Sequence, residues 1–352
     1  MKYEILNAKN EYIKWQNLIS SFHTDFQDIY FKPEFLLMCS KEKSEPLMYF
    51  YEEGNNFWCY SFLKNQIDNN LIHCENDSFY DIETPYGYGG PLSNSNEPKF
   101  LKNAQHNFFE WCNTNNIVAE FVRFHPIIKN QKYYNNLDSV ELNRLTISYS
   151  FQDRESINVN YDSKTRNMIK NFKKNNLNCI VTKSFHRYCQ FVDLYKKIIA
   201  DKDTSKFYLF GDKYFSLLYD VLCKNGWLIC IENESDEFIG GSIFLQGKQF
   251  SHYHLSATER TREYSGINNV ILDLAINKAK ESNLKSIHLG GGNSSSPNDT
   301  LFKFKEKMGN TKNEFYIGRK IYNKNIYQLI KKNWENQGNI NNSDKILFYK
   351  DN

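Results

Sequence analysis

Residues 226–292 contain the stretch that decides the fold. Residues 226–232 read GWLICIE, 238–246 read FIGGSIFLQ and 249–257 read QFSHYHLSA. Each run is short and largely apolar, and Gln246-Gly247-Lys248 is a turn signal between the last two runs, a pattern that is typical of consecutive strands. We therefore predict three strands in this part of the chain.

A long helix and one more strand follow these three strands. The helix is amphipathic, and its apolar face is formed by Ile267, Val270, Ile271, Leu274 and Ala275. Residues 285–289 are then predicted to be a strand that ends at the glycines of 290–292. Antiparallel strands followed by a helix and a further strand indicate an α+β fold.

The first half of the chain repeats this order of elements. Strand-like runs at 46–53 and 57–64 precede a glycine-rich loop at 84–91, a helix predicted over 97–113 and a buried strand over 117–124. The repetition predicts two α+β domains with a boundary near residue 150.

Further helices are predicted between and after the two halves. They cover 163–175, 186–200 and 212–224, with Ser163 and Asp212 as N-caps. After Gly309, a strand over 314–322 leads to a last helix near 324–333.

Composition excludes several classes of protein. The chain has 352 residues, of which 40% are hydrophobic and 16% aromatic, which is enough for a substantial core and argues against disorder. The net charge of +3 gives no reason to expect DNA as a partner. No run approaches the ~20 apolar residues of a transmembrane segment, and residues 1–4 lack the apolar core of a signal peptide. The sequence therefore predicts a soluble, cytoplasmic protein.

Motifs for metal or covalent catalysis are missing from the sequence. It has no H-E-x-x-H, no G-x-S-x-G elbow and no P-loop, and its eight cysteines form no C-x-x-C pair. We expect no metal, reduced thiols and no covalent enzyme intermediate.

Several segments, taken in order, resemble the FemAB-like family within the GNAT superfamily of acyltransferases. They are residues 84–91 (TPYGYGGP), 120–126 (EFVRFHP), 163–170 (SKTRNMIK), 252–257 (HYHLSA), 266–269 (GINN), 288–292 (HLGGG), 304–309 (FKEKMG) and 315–318 (FYIG). The ordered set spans most of the chain, from about residue 80 to 320. No sustained heptad insertion is present, so the chain resembles members that lack a coiled-coil arm for tRNA.

The resemblance implies a fold and a domain plan. It predicts two tandem GNAT-like domains, each a mixed sheet flanked by helices, with a substrate groove between them. The first domain is expected over 1–150 and the second over 151–318. Residues 319–352 are expected to form a C-terminal segment that packs back on the first domain.

The resemblance also implies an acyl-transfer reaction onto an amine. We expect an N-acyltransferase that modifies an amino sugar, nucleotide-linked, for a cell-surface glycan, with acyl-CoA as co-substrate. One alternative is an aminoacyl-tRNA-dependent transferase that extends a peptidoglycan precursor, which would make tRNA a partner. A second alternative is a non-catalytic GNAT-like binding module.

Candidate acceptor-binding residues lie in the first half and near the last glycine turn. Tyrosines of the 84–91 loop can stack on a sugar, and its glycines allow close backbone approach. Arg123 suits a phosphate or carboxylate and shares a strand face with His125, although a structural ion pair is an equally good interpretation of this arginine. The predicted set is Tyr86, Tyr88, Gly89, Gly90, Arg123, His125 and Asp299.

Candidate donor-binding residues lie in two predicted helices. Arg166 and Lys170 are neighbours on one helix, where a solvated basic face is the alternative. By resemblance, Gly266, Asn268 and Asn269 occupy the place where GNAT enzymes hold the CoA pyrophosphate, with a simple helix start as the alternative. Arg260 and Arg262 lie near in sequence.

The predicted catalytic residues are His254, Tyr253, Phe304 and Lys305. His254 can accept a proton near neutral pH, although most such histidines are hydrogen-bonded core residues. Phe304-Lys305 matches the family's Phe-Lys pair, whose lysine binds phosphate or donor charge. The alternative for Lys305 is a solvent-facing lysine in a lysine-rich helix.

Overall fold

The computed structural model describes residues 2–72, 77–151, 161–172, 174, 177–200, 209–259, 264–339 and 345–350. The predicted α+β class is confirmed. The strands are β1 (Lys2–Asn7), β2 (Ser44–Glu53), β3 (Asn56–Gln66), β4 (Tyr80–Glu83), β5 (Gly90–Ser93), β6 (Ile117–Arg123), β7 (Ser139–Ser150), β8 (Asn178–Thr182), β9 (Gly226–Glu232), β10 (Phe238–Gln246), β11 (Phe250–Thr258), β12 (Ser286–Gly291) and β13 (Thr311–Ile321). The α-helices are α1 (Tyr12–Ser21), α2 (Pro33–Cys39), α3 (Pro98–Thr114), α4 (Ser163–Phe172), α5 (Phe185–Ala200), α6 (Asp212–Asn225), α7 (Ile267–Glu281), α8 (Thr300–Glu306) and α9 (Lys324–Asn336).

The first of two compact units comprises Met1–Phe26, Tyr30–Asn143 and Phe315–Asn352. Its strands lie in the order β1-β2-β3-β4-β6-β13, and β5 pairs with β3. Aromatic side chains of β2 and β3 pack against α3 to form the core. This core includes Tyr49, Trp58, Tyr60, Phe62, Phe108 and Trp111.

The second unit comprises Gln27–Ile29 and Arg144–Glu314. Its strands lie in the order β7-β12-β11-β10-β9-β8. As predicted, α7 packs its apolar face on this sheet, where Val270, Ile271 and Ala275 are fully buried with Ile229 and Phe244. Periodic burial along α7 is thus what fixes this helix on the sheet.

Both units contain a parallel strand pair joined through a helix. In the first unit β4 runs parallel to β6, with α3 between them in the chain. In the second unit β11 runs parallel to β12, with α7 between them. The neighbouring β2–β3 and β10–β11 pairs are antiparallel, so both sheets are mixed, as expected.

The two predicted N-caps are wrong in detail. The side chain of Asp162, not that of Ser163, accepts the hydrogen bond from Thr165 N, at 2.6 Å, and Ser163 is the first helical residue. Asp212 is likewise the first residue of α6 and its carboxylate pairs with Lys196 instead, at 2.6 Å. In both helices the predicted cap is the first helical residue, one position after the N-cap.

Candidate active site

The parallel strands β11 and β12 separate part of the way along their length. Phe250 pairs with Ser286 and His252 with His288, and no later pair joins the two strands in the described part of the chain. Each strand keeps its other neighbour, because β11 stays paired with β10 as far as Thr258 and β12 with β7 as far as Gly291. Beyond these pairs the two strands leave an opening between them, along residues 253–258 of β11.

Two histidines mark the point where the strands separate. His252 Nε2 lies 2.9 Å from Asp28 Oδ2, and His288 Nε2 lies 2.9 Å from Thr146 Oγ1. All four side chains are buried. The backbone of Asp28 packs against Gly247, which has no side chain. A Cβ at Gly247 would lie only 2.6 Å from the Asp28 Cα, so the glycine makes room for this contact. Neither Asp28 nor Thr146 was predicted, because only tertiary structure brings them to these histidines.

His254 lies in a β-bulge just inside the opening. The register pairs Phe244 with Tyr253 and Ile243 with Leu255, so His254 is the extra residue of β11. Its Nε2 lies 2.7 Å from the Tyr214 hydroxyl, and burial lowers the pKa of His254 to about 3. A weakly basic imidazole is a poor acceptor for an amine proton, and the catalytic role of His254 stays a prediction. The core-residue alternative fits.

Lys305 is buried at the carboxyl end of β12. Only 7% of the residue is exposed, so the alternative of a solvent-facing lysine is wrong. Its Nζ donates a hydrogen bond of 2.8 Å to Gly291 O and lies 5.5 Å from the centroid of the Tyr253 ring. Burial lowers the pKa of Lys305 to about 8, although the Asp299 carboxylate acts in the opposite direction.

The glycine turn after β12 holds two cationic side chains. Gly290 has φ +83°, and a Cβ there would lie 3.1 Å from Lys305 Nζ, so a side chain would crowd the ammonium. Gly292 O accepts a hydrogen bond of 2.9 Å from Arg144 Nη1. Arg144 was not predicted, since nothing in its local sequence distinguishes it from other basic residues.

Asp299 has a capping role that its predicted role in substrate binding did not include. Its Oδ1 accepts from Phe302 N at 2.9 Å and its Oδ2 from Ser294 N at 3.0 Å. These bonds lower the pKa of Asp299 and fix the start of α8. The cap thereby positions the helix that carries Lys305.

Tyr253 and Phe304 line the same region of the second unit as Lys305. The Tyr253 ring stacks on Phe244, with centroids 5.3 Å apart. Burial raises the pKa of Tyr253, while hydrogen bonds from the Ser256 and Ser242 hydroxyls act against that rise. Phe304 is partly buried against the core of the unit. Of the four predicted catalytic residues, the structure therefore brings Tyr253 and Lys305 together, with Phe304 beside them in α8.

The predicted donor residues at the start of α7 bind other parts of the protein. Asn268 Oδ1 lies 3.5 Å from Thr258 Oγ1, and the buried Asn269 directs Nδ2 to Met308 Sδ at 3.6 Å. Gly266 precedes the first turn of α7. These contacts tie α7 to β11 and to the end of α8, which favours the helix-start alternative. Arg260 and Arg262 lie outside the described residues.

The two basic donor candidates in α4 differ from each other. Arg166 donates to Tyr161 O and, at 3.1 Å, to Ser163 Oγ, so its guanidinium is bonded to residues at the start of its own helix. Lys170 is exposed. The structure therefore favours a solvated basic face for Lys170 and a local structural role for Arg166.

In the first unit, the glycine-rich loop is closely packed. There is no room for a Cβ at three of its glycines. A Cβ would lie less than 3.0 Å from Tyr30 at Gly87, from Thr84 at Gly89 and from Phe124 at Gly90. Tyr86 and Tyr88 are half-buried. The Tyr88 ring meets Tyr30 edge-on, with centroids 5.4 Å apart. The glycines thus serve packing, and the predicted sugar-stacking role of the tyrosines stays a prediction.

Arg123 and His125 do not share a strand face, contrary to the prediction, because β6 ends at Arg123. Arg123 lies 3.4 Å from Glu83 and donates to Thr84 O at 3.0 Å, so the ion-pair interpretation fits. His125 is fully buried, and its Nδ1 accepts from two backbone N–H groups at 3.3 and 3.2 Å. Both residues stabilise the loop that carries Tyr86 and Tyr88.

Comparison with known proteins identifies the fold. No family model and no curated protein matches the chain. FemX superposes with a TM-score of 0.69 and 12% identity, covering 94% of this chain and 100% of FemX. L-PGS from Bacillus licheniformis gives 0.53 and 10% identity over 86% and 90% of the two chains, and a tandem GNAT protein from the clavulanic acid biosynthesis pathway gives 0.52 and 6% over 91% and 99%. The chain has the two-domain GNAT-like α+β fold of these proteins, which confirms the predicted fold. Among the described residues, no helix is both long and apolar enough to cross a membrane.

Proposed function

We propose that the chain is an acyltransferase that moves an acyl group from an activated ester or thioester to an amine. The single observation that carries this proposal is the separation of β11 from β12 after His252 and His288. An extended donor that carries amide groups can enter between the two strands and lie along β11 beyond His252, in the manner of an added strand. The fold shared with FemX and a tandem GNAT protein agrees with this class of reaction.

Lys305 supplies the charge that this reaction requires. The acceptor nitrogen attacks the donor carbonyl, a C–N bond forms, and the bond from the carbonyl carbon to the leaving sulfur or oxygen breaks. The buried ammonium stabilises the developing oxyanion more strongly than a solvated one would. With its pKa at about 8, Lys305 can pass its proton to the leaving group and receive the proton that the acceptor nitrogen loses.

Three of the eight cysteines, Cys59, Cys112 and Cys230, are buried and do not suit a covalent acyl intermediate. Burial raises the pKa of Cys59 and Cys112, and it raises that of Cys230 to about 12. A buried thiol with a raised pKa is a poor nucleophile, because the thiolate is the reactive form.

Two donor and acceptor classes remain candidates. The first is acyl-CoA with a nucleotide-linked amino sugar, as part of cell-surface glycan biosynthesis. The second is aminoacyl-tRNA with a peptidoglycan precursor, and the superposition over the full length of FemX favours it. A non-catalytic binding module is disfavoured, since a buried lysine with a lowered pKa beside an opening is typical of reactive sites.

Donor binding and product formation test the proposal together. The purified protein is first heated with acetyl-CoA, with charged tRNA or with neither. A donor at about 100 times its dissociation constant is expected to stabilise the fold by about 2.7 kcal/mol. Each donor is then incubated with glucosamine-containing nucleotide sugars and with a peptidoglycan precursor, and amide products are sought by mass spectrometry. The proposal would be overturned if no donor stabilised the protein and no donor gave an amide product.

A further inference from the structure

A second, separate groove lies in the first unit, where α3 ends and α9 begins. It is open to solvent, has a volume of about 550 Å³ and is lined by Phe109, Asn113, Asn116, Ile117, Ile321, Tyr322, Asn323, Lys324 and Asn325. None of these residues takes part in the proposed acyl transfer, and none belongs to the motifs that carry the family resemblance. The groove is therefore a candidate for a separate binding function.

Two aromatic rings, together with Ile117 and Ile321, form the apolar part of the groove. Phe109 and Tyr322 are half-buried, and their ring centroids lie 5.6 Å apart. The Tyr322 hydroxyl donates to Glu120 Oε2 at 2.7 Å, and the buried Tyr134 donates to the same oxygen at 2.8 Å. Because Glu120 is itself fully buried, the Tyr322 ring is fixed before any ligand arrives. A surface that is ordered in advance loses less entropy on binding.

Side-chain amides form most of the polar part. Asn323 caps α9 by accepting from Ile326 N at 3.1 Å, and Asn116 donates to Ser78 O at 3.2 Å. The amides of Asn113 and Asn325 make no hydrogen bond with any residue that the structure describes, and both residues are exposed. An unpaired amide offers a donor and an acceptor side by side, which matches two neighbouring hydroxyl groups of a ligand.

The composition of the groove excludes several kinds of ligand. A peptide cannot add to the sheet here, because β6 already lies between β4 and β13. Lys324 is the single charged residue in the lining, which is too little for a nucleic-acid backbone. Four asparagines in the lining make it too polar for an acyl chain.

We propose that this groove binds a saccharide of one or two pyranose units. A pyranose has an apolar face of C–H groups that can lie on the Phe109 and Tyr322 rings, and hydroxyls that can bond to Asn113 and Asn325. The volume of about 550 Å³ falls within the usual range for small-molecule sites. The site is distinct from the opening between β11 and β12, so it does not depend on the proposed acyl transfer.

Saturation-transfer NMR on the full chain tests this proposal. The probes are glucose, galactose, N-acetylglucosamine, glucuronic acid and the β-1,4 dimer of N-acetylglucosamine. At least one is expected to bind in the millimolar range. Replacing both Asn113 and Asn325 with Ala should weaken that binding about 30-fold, since each neutral hydrogen bond contributes about 1 kcal/mol and tenfold corresponds to 1.4 kcal/mol. Phe109→Ala should weaken it at least as much.

Matched controls separate the groove from general surface effects. Asn55→Ala and Tyr3→Ala change an exposed asparagine and an exposed tyrosine outside the groove, and both should bind like the unmodified chain. If Phe109→Ala fails to fold, the exposed Asn113 and Asn325 variants decide the question. No binding of any probe, or binding that all groove variants retain, would overturn the proposal.

Discussion

The two units contain the same strand–helix–strand crossover, but one is closed and the other is open. In the first unit, β4 pairs with β6 up to Glu83 and Phe121. Two further bonds extend the contact, from Thr84 N to Phe121 O at 3.2 Å and from Gly89 N to Arg123 O at 2.8 Å. In the second unit the corresponding pair, β11 and β12, is joined over three residue pairs and then separates.

The residues at the ends of the β4–β6 and β11–β12 pairs explain why the first pair stays joined and the second separates. Thr84 Oγ1 accepts from Arg123 N at 2.9 Å, and Lys350 contacts the Glu83 carboxylate at 2.7 Å. Burial would raise the pKa of Glu83, but the charges of Lys350 and Arg123 outweigh it and lower this pKa to about 2. In the second unit the corresponding end holds Lys305 and a glycine turn. One copy of the crossover thus serves stability, and we propose that the other serves chemistry.

The largest expected effect is on the free energy of unfolding, and it concerns the ion pairs of Lys350 in the closed copy of the crossover, β4–α3–β6. Lys350 also contacts Asp81, whose side chain is 1% exposed. Lys350→Met leaves both carboxylates without their lysine, and breaking a buried ion pair in this way costs about 3–5 kcal/mol. Urea denaturation at neutral pH measures the loss. Lys332→Met, at an exposed position of α9, is the control. Equal stability of the two variants would show that the closed copy does not depend on these charges.

The second prediction concerns the open copy. Lys305→Ala should lower kcat/KM about 10- to 150-fold, because charged hydrogen bonds contribute roughly 1.5–3 kcal/mol and 1.4 kcal/mol corresponds to tenfold. Lys303→Ala is the matched control, since Lys303 is exposed on the same helix and its side chain bonds only to Asn298 Oδ1, at 2.9 Å, within the described chain. The assay is amide formation with whichever donor proves active. Equal rates for the two variants would remove Lys305 from the site.

The third prediction uses pH to test the burial of Lys305. Its pKa is about 8 in the folded state and about 10.4 in the unfolded chain. Between these values the unfolded chain holds a proton that the folded protein has released, so stability rises with pH. From pH 7 to 9.5 the unmodified chain should gain about 2 kcal/mol relative to Lys305→Met. Urea denaturation of both proteins at each pH measures this difference, and a constant difference would mean that Lys305 is solvated.

The smallest expected effect concerns the closing hydrogen bonds. Thr84→Val removes the acceptor for Arg123 N and should cost about 1–2 kcal/mol, the penalty of an unsatisfied buried donor. Donor affinity should stay unchanged, because the altered ladder lies in the closed copy. Thermal unfolding and donor titration of this variant, beside the exposed Thr114→Val, measure both quantities. A weakened donor affinity would contradict the division of roles between the two copies.

Strong local patterns made much of the fold predictable. The strands at 226–232 and 238–246 and the start of α7 at Ile267 lie where apolar periodicity put them. Two strands in the glycine-rich region, β4 and β5, were missed because each is only four residues long. All of β7 was missed; its first half is largely exposed and polar, so only the second half has the buried side chains that mark a strand.

The candidate site was predicted less well, for a physical reason. Local sequence showed that Lys305 follows a glycine turn, but its burial depends on how α8 packs beside Tyr253. The pairing of Arg123 with Glu83 joins residues 40 positions apart, and the contact of Asp28 with His252 joins residues 224 positions apart. Such contacts leave no trace in spacing or periodicity. They decide which charged residues are structural and which remain available for chemistry.

Amide hydrogen exchange tests the central claim, that the second crossover is the open one and receives the donor. In the free protein, the amides of Thr84 and Gly89 should exchange slowly, because they are bonded to β6, while amides within residues 253–258 that face the opening should exchange faster. Addition of acetyl-CoA or aminoacyl-tRNA, in separate samples, should protect residues 253–258 and leave Thr84 and Gly89 unchanged. Protection at Thr84 and Gly89 alone, or uniformly slow exchange of residues 253–258 in the free protein, would contradict the account.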